Sequence, residues 1–156
     1  MALVRHTVSM NLASIEAKYI KEMSNLVESL SKNPAFGILD CSGIVPAHNN
    51  ADMKAGFNRG YTHFFEMLFL TSAHRDYYLP HSEHMDIVGK MIELGFSAKP
   101  EDFCTLDSDA TFNHEIEEIF LRIFEQRHKI SIAESFDLID EASLSAKAKA
   151  AYKREL

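Results

Sequence analysis

The chain has no tryptophan, and only two cysteines, four prolines and six glycines in 156 residues. The cysteines, Cys41 and Cys104, have no C-x-x-C spacing. They give neither a disulfide framework nor a thiolate zinc site, and a reducing, cytoplasmic-type compartment is the expectation. Basic residues are outnumbered, 16 Lys and Arg against 23 Asp and Glu, for a formal charge of −7. A nucleic-acid binder would carry a basic face, so nucleic acid is not an expected partner. No apolar run approaches the ~20 residues of a membrane span, so no membrane partner is expected. The N-terminus has no basic segment followed by an apolar one, the pattern of a secretory leader. Hydrophobic residues at 46% and charged ones at 25% exclude a disordered chain and fit one core of ordinary size.

What is present is histidine. Four of the eight, His63, His74, His81 and His84, lie in the stretch GYTHFFEMLFLTSAHRDYYLPHSEHM from Gly60 to Met85. The elements around it read in order. Leu3 to Leu12 alternates, with Val4, His6, Val8 and Met10 on one face, which marks a strand. Ser14 can cap a helix running to about Ser31, which Asn33-Pro34 ends. Phe36 to Val45 reads as a second strand, with Gly43 at a bulge. Residues 46–60 form a polar loop, which at about 15 residues has the length of a functional or mobile one.

Tyr61 to Leu70 is the third strand. His63, Phe65, Met67 and Phe69 share one face; Phe64, Leu68 and Leu70 share the other. Thr71 to Tyr78 is a short helical turn. Pro80 can open a new helix at its first position, with Met85, Val88, Met91 and Ile92 inward and Gly95 at its end. Glu101 to Leu106 is a fourth strand. The order β-α-β-β-α-β is that of a ferredoxin-like α+β fold. Residues 1–109 form this domain. Residues 110–156 form a helical C-terminal extension, with an amphipathic stripe of Phe112, Ile116, Ile119, Phe120, Ile123 and Phe124 and a capping box at Ser131 and Glu134. It is too apolar for a linker, so it packs on the core or on a partner.

Val4-Arg5-His6, the strand opening Gly60-Tyr61-Thr62-His63, Phe69, and Tyr78 with His81 and His84 resemble the stress-responsive dimeric α/β-barrel family, which includes heat-stable plant stress proteins and a plant polyketide cyclase forming olivetolic acid. The resemblance covers roughly residues 2 to 107. It implies two helices on one face of a four-stranded sheet, and a homodimer formed by the other faces. It also implies catalytic roles for Tyr78 and His84, with His6 and His63 lining the same pocket and His81 beside them. The chain departs from the family in having Ser82 after His81, with Pro80 before it, and in its tail.

The residue types agree with such chemistry. A neutral imidazole accepts a proton at neutral pH, and a phenol can donate to a developing enolate without ionising. Tyr78 and His84 lie six residues apart, a spacing that does not share a helix face unless the break at Pro80 intervenes. The leading expectation is a cofactor-free lyase, cyclase or isomerase acting on a small carbonyl or polyketide-like ligand. Another class of reading is a non-catalytic stress-related homo-oligomer that binds a small molecule or serves as a scaffold. A third is a metal site from His63, His81 and His84, which no recognised ligand spacing completes, so no metal is expected. Taken singly, His6 and His63 are more often packed core histidines than ligands, and His74 reads as exposed. The bare patch of Phe64, Leu68 and Leu70 points to burial against a second copy, unless the tail folds over it.

Overall fold

The structure is a computed structural model that describes residues 3–47 and 60–144, together with Ala146 and Lys149. Most of the 46–60 loop and most of the end of the helical extension, from 145 to 156, lie outside the described residues. The elements are β1 (Leu3–Met10), α1 (Ala17–Ser29), β2 (Ile38–Cys41), β3 (Val45–Pro46), β4 (His63–Phe69), α2 (Ser72–Tyr78), α3 (Ser82–Glu93), β5 (Phe103–Ala110), α4 (His114–His128) and α5 (Ile132–Asp137). The sheet runs β2-β4-β1-β5 with β3 beside β4, and every pairing is antiparallel. This is the split βαβ order expected from the sequence.

Strand parity sets the two faces. Val4, Val8 and Met10 of β1 and Phe65, Met67 and Phe69 of β4 bury against α1, α2 and α3 in one core. Arg5, Thr7 and Ser9 stay half-exposed on the opposite side. The second strand is shorter than its apolar run suggests. Gly43 adopts φ +65°, and a Cβ there would sit 2.5 Å from Glu28 Oε1 and 2.7 Å from Ser24 Oγ. The chain turns at that point, and Ser24 Oγ accepts the Ile44 N–H at 2.9 Å. β2 and β3 are therefore separate segments along β4.

The helix after Pro80 also starts later than expected. His81, not Pro80, stands at its boundary, and the His81 imidazole accepts the Glu83 N–H. The inward stripe is His84, Ile87, Val88 and Met91; Met85 and Ile92 are about half exposed. The stripe lies one residue round from the apolar positions that the pattern favours, and this turns His84 toward the sheet.

The described part of the tail wraps the β2 edge of the sheet. On the side away from α1 and α3, Phe124 of α4 is fully buried on Leu3, Leu39, Leu68, Leu70 and Ala110, with Phe120, Leu121 and Ile130 around it. Arg127 donates to the Ile38 and Leu39 carbonyls, at 3.3 and 3.1 Å, which covers polar groups of an edge strand. α5 then reaches the helix side, where Phe136, Ile139 and Leu144 join the main core. Leu68 and Leu70 are thus covered by the chain's own tail. The patch assigned to a second copy is reduced to its Phe64 end.

His74 is a further correction, being fully buried. The short helix α2 gave no periodicity to place it, and its partners come from far along the chain. Its Nε2 lies 3.2 Å from Ser135 Oγ of α5, and its Nδ1 lies 2.9 Å from Thr71 Oγ1. Ser135 spends its own proton on the Ile132 carbonyl at 2.6 Å. Nε2 therefore donates to Ser135, and Nδ1 accepts from the Thr71 hydroxyl. The neutral ring is satisfied at both ends and packs edge-on to Phe136 at 4.6 Å.

Candidate functional site

A cavity of about 280 Å³ lies between the sheet and α3. Its geometry follows from register. β1 pairs with β5 so that His6 faces Asp107, Val8 faces Thr105 and Met10 faces Phe103. α3 lays His84, Ile87, Val88 and Met91 along the same line. Polar side chains gather at one end, and the other end is closed by Met10, Val27, Leu30, Met91 and Phe96. The rim runs along exposed Met85, Ala98, Thr105 and Asp107.

Tyr78 is the last residue of α2, and His84 belongs to the first turn of α3. The turn through Pro80 folds one back on the other, and their rings lie 4.3 Å apart, tilted by 41°. In an unbroken helix the Leu79 carbonyl would take the Glu83 N–H, but His81 holds that donor. The free carbonyl instead lies 2.7 Å from His84 Nδ1. A carbonyl only accepts, so Nδ1 carries the proton and Nε2 carries the lone pair. Burial holds the His84 pKa below the usual histidine value; the Leu79 bond opposes this, and the nearby His6 and His81 charges reinforce it. His84 is neutral at pH 7.

Tyr78 is buried among Phe36, Phe69 and the His6 ring, with centroids at 5.3, 5.2 and 6.4 Å. Desolvation, with a smaller contribution from Cys41, raises the phenol pKa well above its ordinary value. The hydroxyl stays protonated throughout the physiological range.

His6 is fixed from a residue that sequence reading missed. Its Nδ1 lies 2.7 Å from Asp107 Oδ1. The other Asp107 oxygen pairs with Arg75, whose Nε lies 2.6 Å from Asp76 Oδ1. A carboxylate accepts, so His6 donates from Nδ1, and this bond fixes the orientation of its ring. The strand expected from the sequence ends at Leu106, one residue short of Asp107, whereas β5 runs on to Ala110. The signal lay in strand pairing: carrying the alternation of Phe103 and Thr105 two residues further puts Asp107 on the His6 face.

His6, Tyr78 and His84 thus meet at one cavity; His63 and His81 do not line it. His63 stands at the start of β4, opposite Met10 and Pro46, with Nδ1 2.9 Å from Thr62 Oγ1. His81 spends its ring on capping α3 and on Phe36 and Tyr77, at 4.9 and 5.2 Å. Among the described residues no three His, Cys, Asp or Glu side chains are placed to share a metal ion. Among the described residues no lysine or arginine lines the cavity. No helix among the described residues is long and apolar enough to cross a membrane.

No family model and no curated protein matches the chain. Solved structures do. A dimeric ferredoxin-like protein of unknown function from Jannaschia sp. CCS1 shares 19% identity over 69% of this chain and 99% of its own, with a TM-score of 0.50. A dimeric protein of unknown function with a ferredoxin-like fold, from Bacteroides fragilis, shares 13% identity over 70% of this chain and 98% of its own, also at 0.50. At such identities the likeness speaks for fold alone: the chain has a ferredoxin-like α+β fold.

Proposed function

We propose that the cavity catalyses proton transfer at a carbon beside a carbonyl, without a cofactor, in an isomerisation or an intramolecular aldol-type cyclisation. The observation that carries this reading is the pair His84 and Tyr78. His84 gives its Nδ1 proton to the Leu79 carbonyl and so keeps Nε2 as a base, beside a phenol held protonated. His84 removes the α-proton, and Tyr78 donates to the enolate oxygen that develops. His6, oriented by Asp107, is the second group that can hold a proton between the two halves of the reaction. The apolar walls strengthen each of these interactions by excluding water. The resemblance to the stress-responsive barrel family supports the same two residues.

The test is exchange of α-protons of small ketones for deuterium in D2O, followed by NMR. His84→Gln should lower the enzymatic rate by about 10²- to 10⁴-fold, the range of a lost general base, with the fold unchanged. Tyr78→Phe should lower it by about 10²- to 10³-fold, as for a lost oxyanion donor. Tyr78 also packs on Phe36 and Phe69, which favours a second reading, a non-catalytic small-molecule-binding or stress-related oligomer. In that case no exchange exceeds buffer, and Tyr78→Phe changes only stability.

We also propose a homodimer. Both related structures are described as dimers. The part of the sheet that α4 leaves open carries half-exposed Phe64 and Leu106, which is 65% exposed. α4 turns Ile116, Ile119 and Ile123 outward at helical spacing. Burying these apolar surfaces against a second copy removes them from water. Light scattering at micromolar concentration should give twice the chain mass, and Leu106→Glu with Ile119→Glu should give a monomer. A monomeric parent protein overturns the dimer.

A further inference from the structure

The cavity walls also specify what can fill them. Three elements span the cavity over about 10 to 13 Å. From His6 to Met10 along β1 is four residues, ~13 Å of strand. From His84 to Met91 along α3 is seven residues, ~10 Å of helix. β5 repeats the span from Asp107 to Phe103. Among the described lining residues the polar side chains other than Thr105 lie at the His6 end, and the far end is stopped by buried Met10, Leu30, Met91 and Phe96. The space of about 280 Å³ holds roughly nine groups of water or methylene size.

Charge narrows the class further. Among the described lining residues Asp107 is the one formal charge, with no lysine or arginine beside it. Arg75 is not among the lining residues and is paired with both Asp107 and Asp76, so these three groups carry one net formal negative charge. His84 is held neutral by burial. A carboxylate or phosphate entering here would lose its water and meet no lysine or arginine among the described lining residues. An uncharged acceptor meets the Tyr78 hydroxyl.

We infer that the cavity takes an uncharged compound with one carbonyl-class acceptor and an alkyl chain of about eight carbons, and rejects acyl anions of the same length. The carbonyl head rests on the proton-transfer reading above; the chain length and the lack of charge rest on the walls alone. The acceptor sits at His6, Tyr78 and His84. The chain runs past Val8, Phe65 and Ile87 toward Met91. Its length is set by the methionines and phenylalanines at the closed end.

The experiment is calorimetric titration of the full chain at pH 8 with 2-hexanone, 2-nonanone, 2-dodecanone and nonanoate. The expected result is tightest binding of 2-nonanone, with nonanoate at least ~100-fold weaker because its charge is buried unpaired. Nonanoate within tenfold of 2-nonanone overturns the inference. So does affinity that rises through 2-dodecanone, which would mean a surface without a stop. Absence of binding by all four overturns it as well. Val8→Phe, placed midway along the cavity and outside the polar cluster, should shift the preference to 2-hexanone, provided circular dichroism shows a native fold. The wild-type series decides the matter without it. 2-Nonanone that binds selectively but exchanges no α-protons leaves the ligand class standing and removes the proposed chemistry.

Discussion

Acid should detach the tail through His74. This ring is fully buried between Thr71 and Ser135, with no carboxylate among its hydrogen-bond partners. Desolvation pushes its pKa down to about 3, against 6.5 for a free histidine, with the Ser135 bond opposing. The folded pKa is the lower one, so the stabilisation is complete above pH 6.5 and is lost as pH falls toward 3. At pH 5 the unfolded chain has protonated this residue and the folded chain has not. The difference amounts to about 2 kcal/mol, set almost wholly by the distance of pH 5 below 6.5. By pH 3 it reaches about 4 kcal/mol, close to the stability of a small domain. The assay is urea unfolding followed by far-ultraviolet circular dichroism, since the chain has no tryptophan to report by fluorescence. Wild type and His74→Gln are compared at pH 7.5, 6.0 and 5.0. The other histidines titrate in both proteins and cancel. The variant is less stable at pH 7.5, and its disadvantage should shrink by about 2 kcal/mol at pH 5. Parallel pH dependences in the two proteins would refute this account of His74.

Two other substitutions probe the same packing. Gly37 has φ +58°, and a Cβ there would lie 2.5 Å from the His74 ring, so Gly37→Ala should cost at least ~2 kcal/mol in urea unfolding. Arg127→Ala removes two hydrogen bonds from the edge of β2 and should cost about 1–2 kcal/mol. It should also speed amide exchange in β2 more than in β1, measured by hydrogen exchange with mass spectrometry.

Much of the architecture was legible because strand parity is a strong local signal. The alternation in Leu3–Met10 and His63–Phe69 assigned both faces of the two central strands, and the element order gave the split βαβ topology. What escaped was decided by contacts distant in sequence. Asp107 belongs to the site only because β5 pairs with β1 as far as Ala110, and its Asp-Ser-Asp run has no strand propensity of its own. His74 is buried by Ser135 and Phe136, sixty residues away and more. Leu68 and Leu70 form an apolar patch in the sequence, but Phe124 covers them. Within the candidate site, the break at Pro80 predicted that Tyr78 and His84 could meet. It did not reveal that the Leu79 carbonyl would fix the histidine tautomer. That follows from His81 taking the Glu83 N–H, a competition of hydrogen bonds that residue types alone do not rank.

The proposed chemistry requires His84 to face the cavity as a neutral base with its Nε2 lone pair free. Nitrogen-15 NMR of histidine-labelled protein measures this directly, by assigning the protonated ring nitrogen of His84 and titrating it. The account predicts a proton on Nδ1 and a pKa below 6.5, with His84→Gln identifying the signal. A proton on Nε2 at pH 7.5, or a pKa above 6.5, would contradict it and leave the cavity without its base.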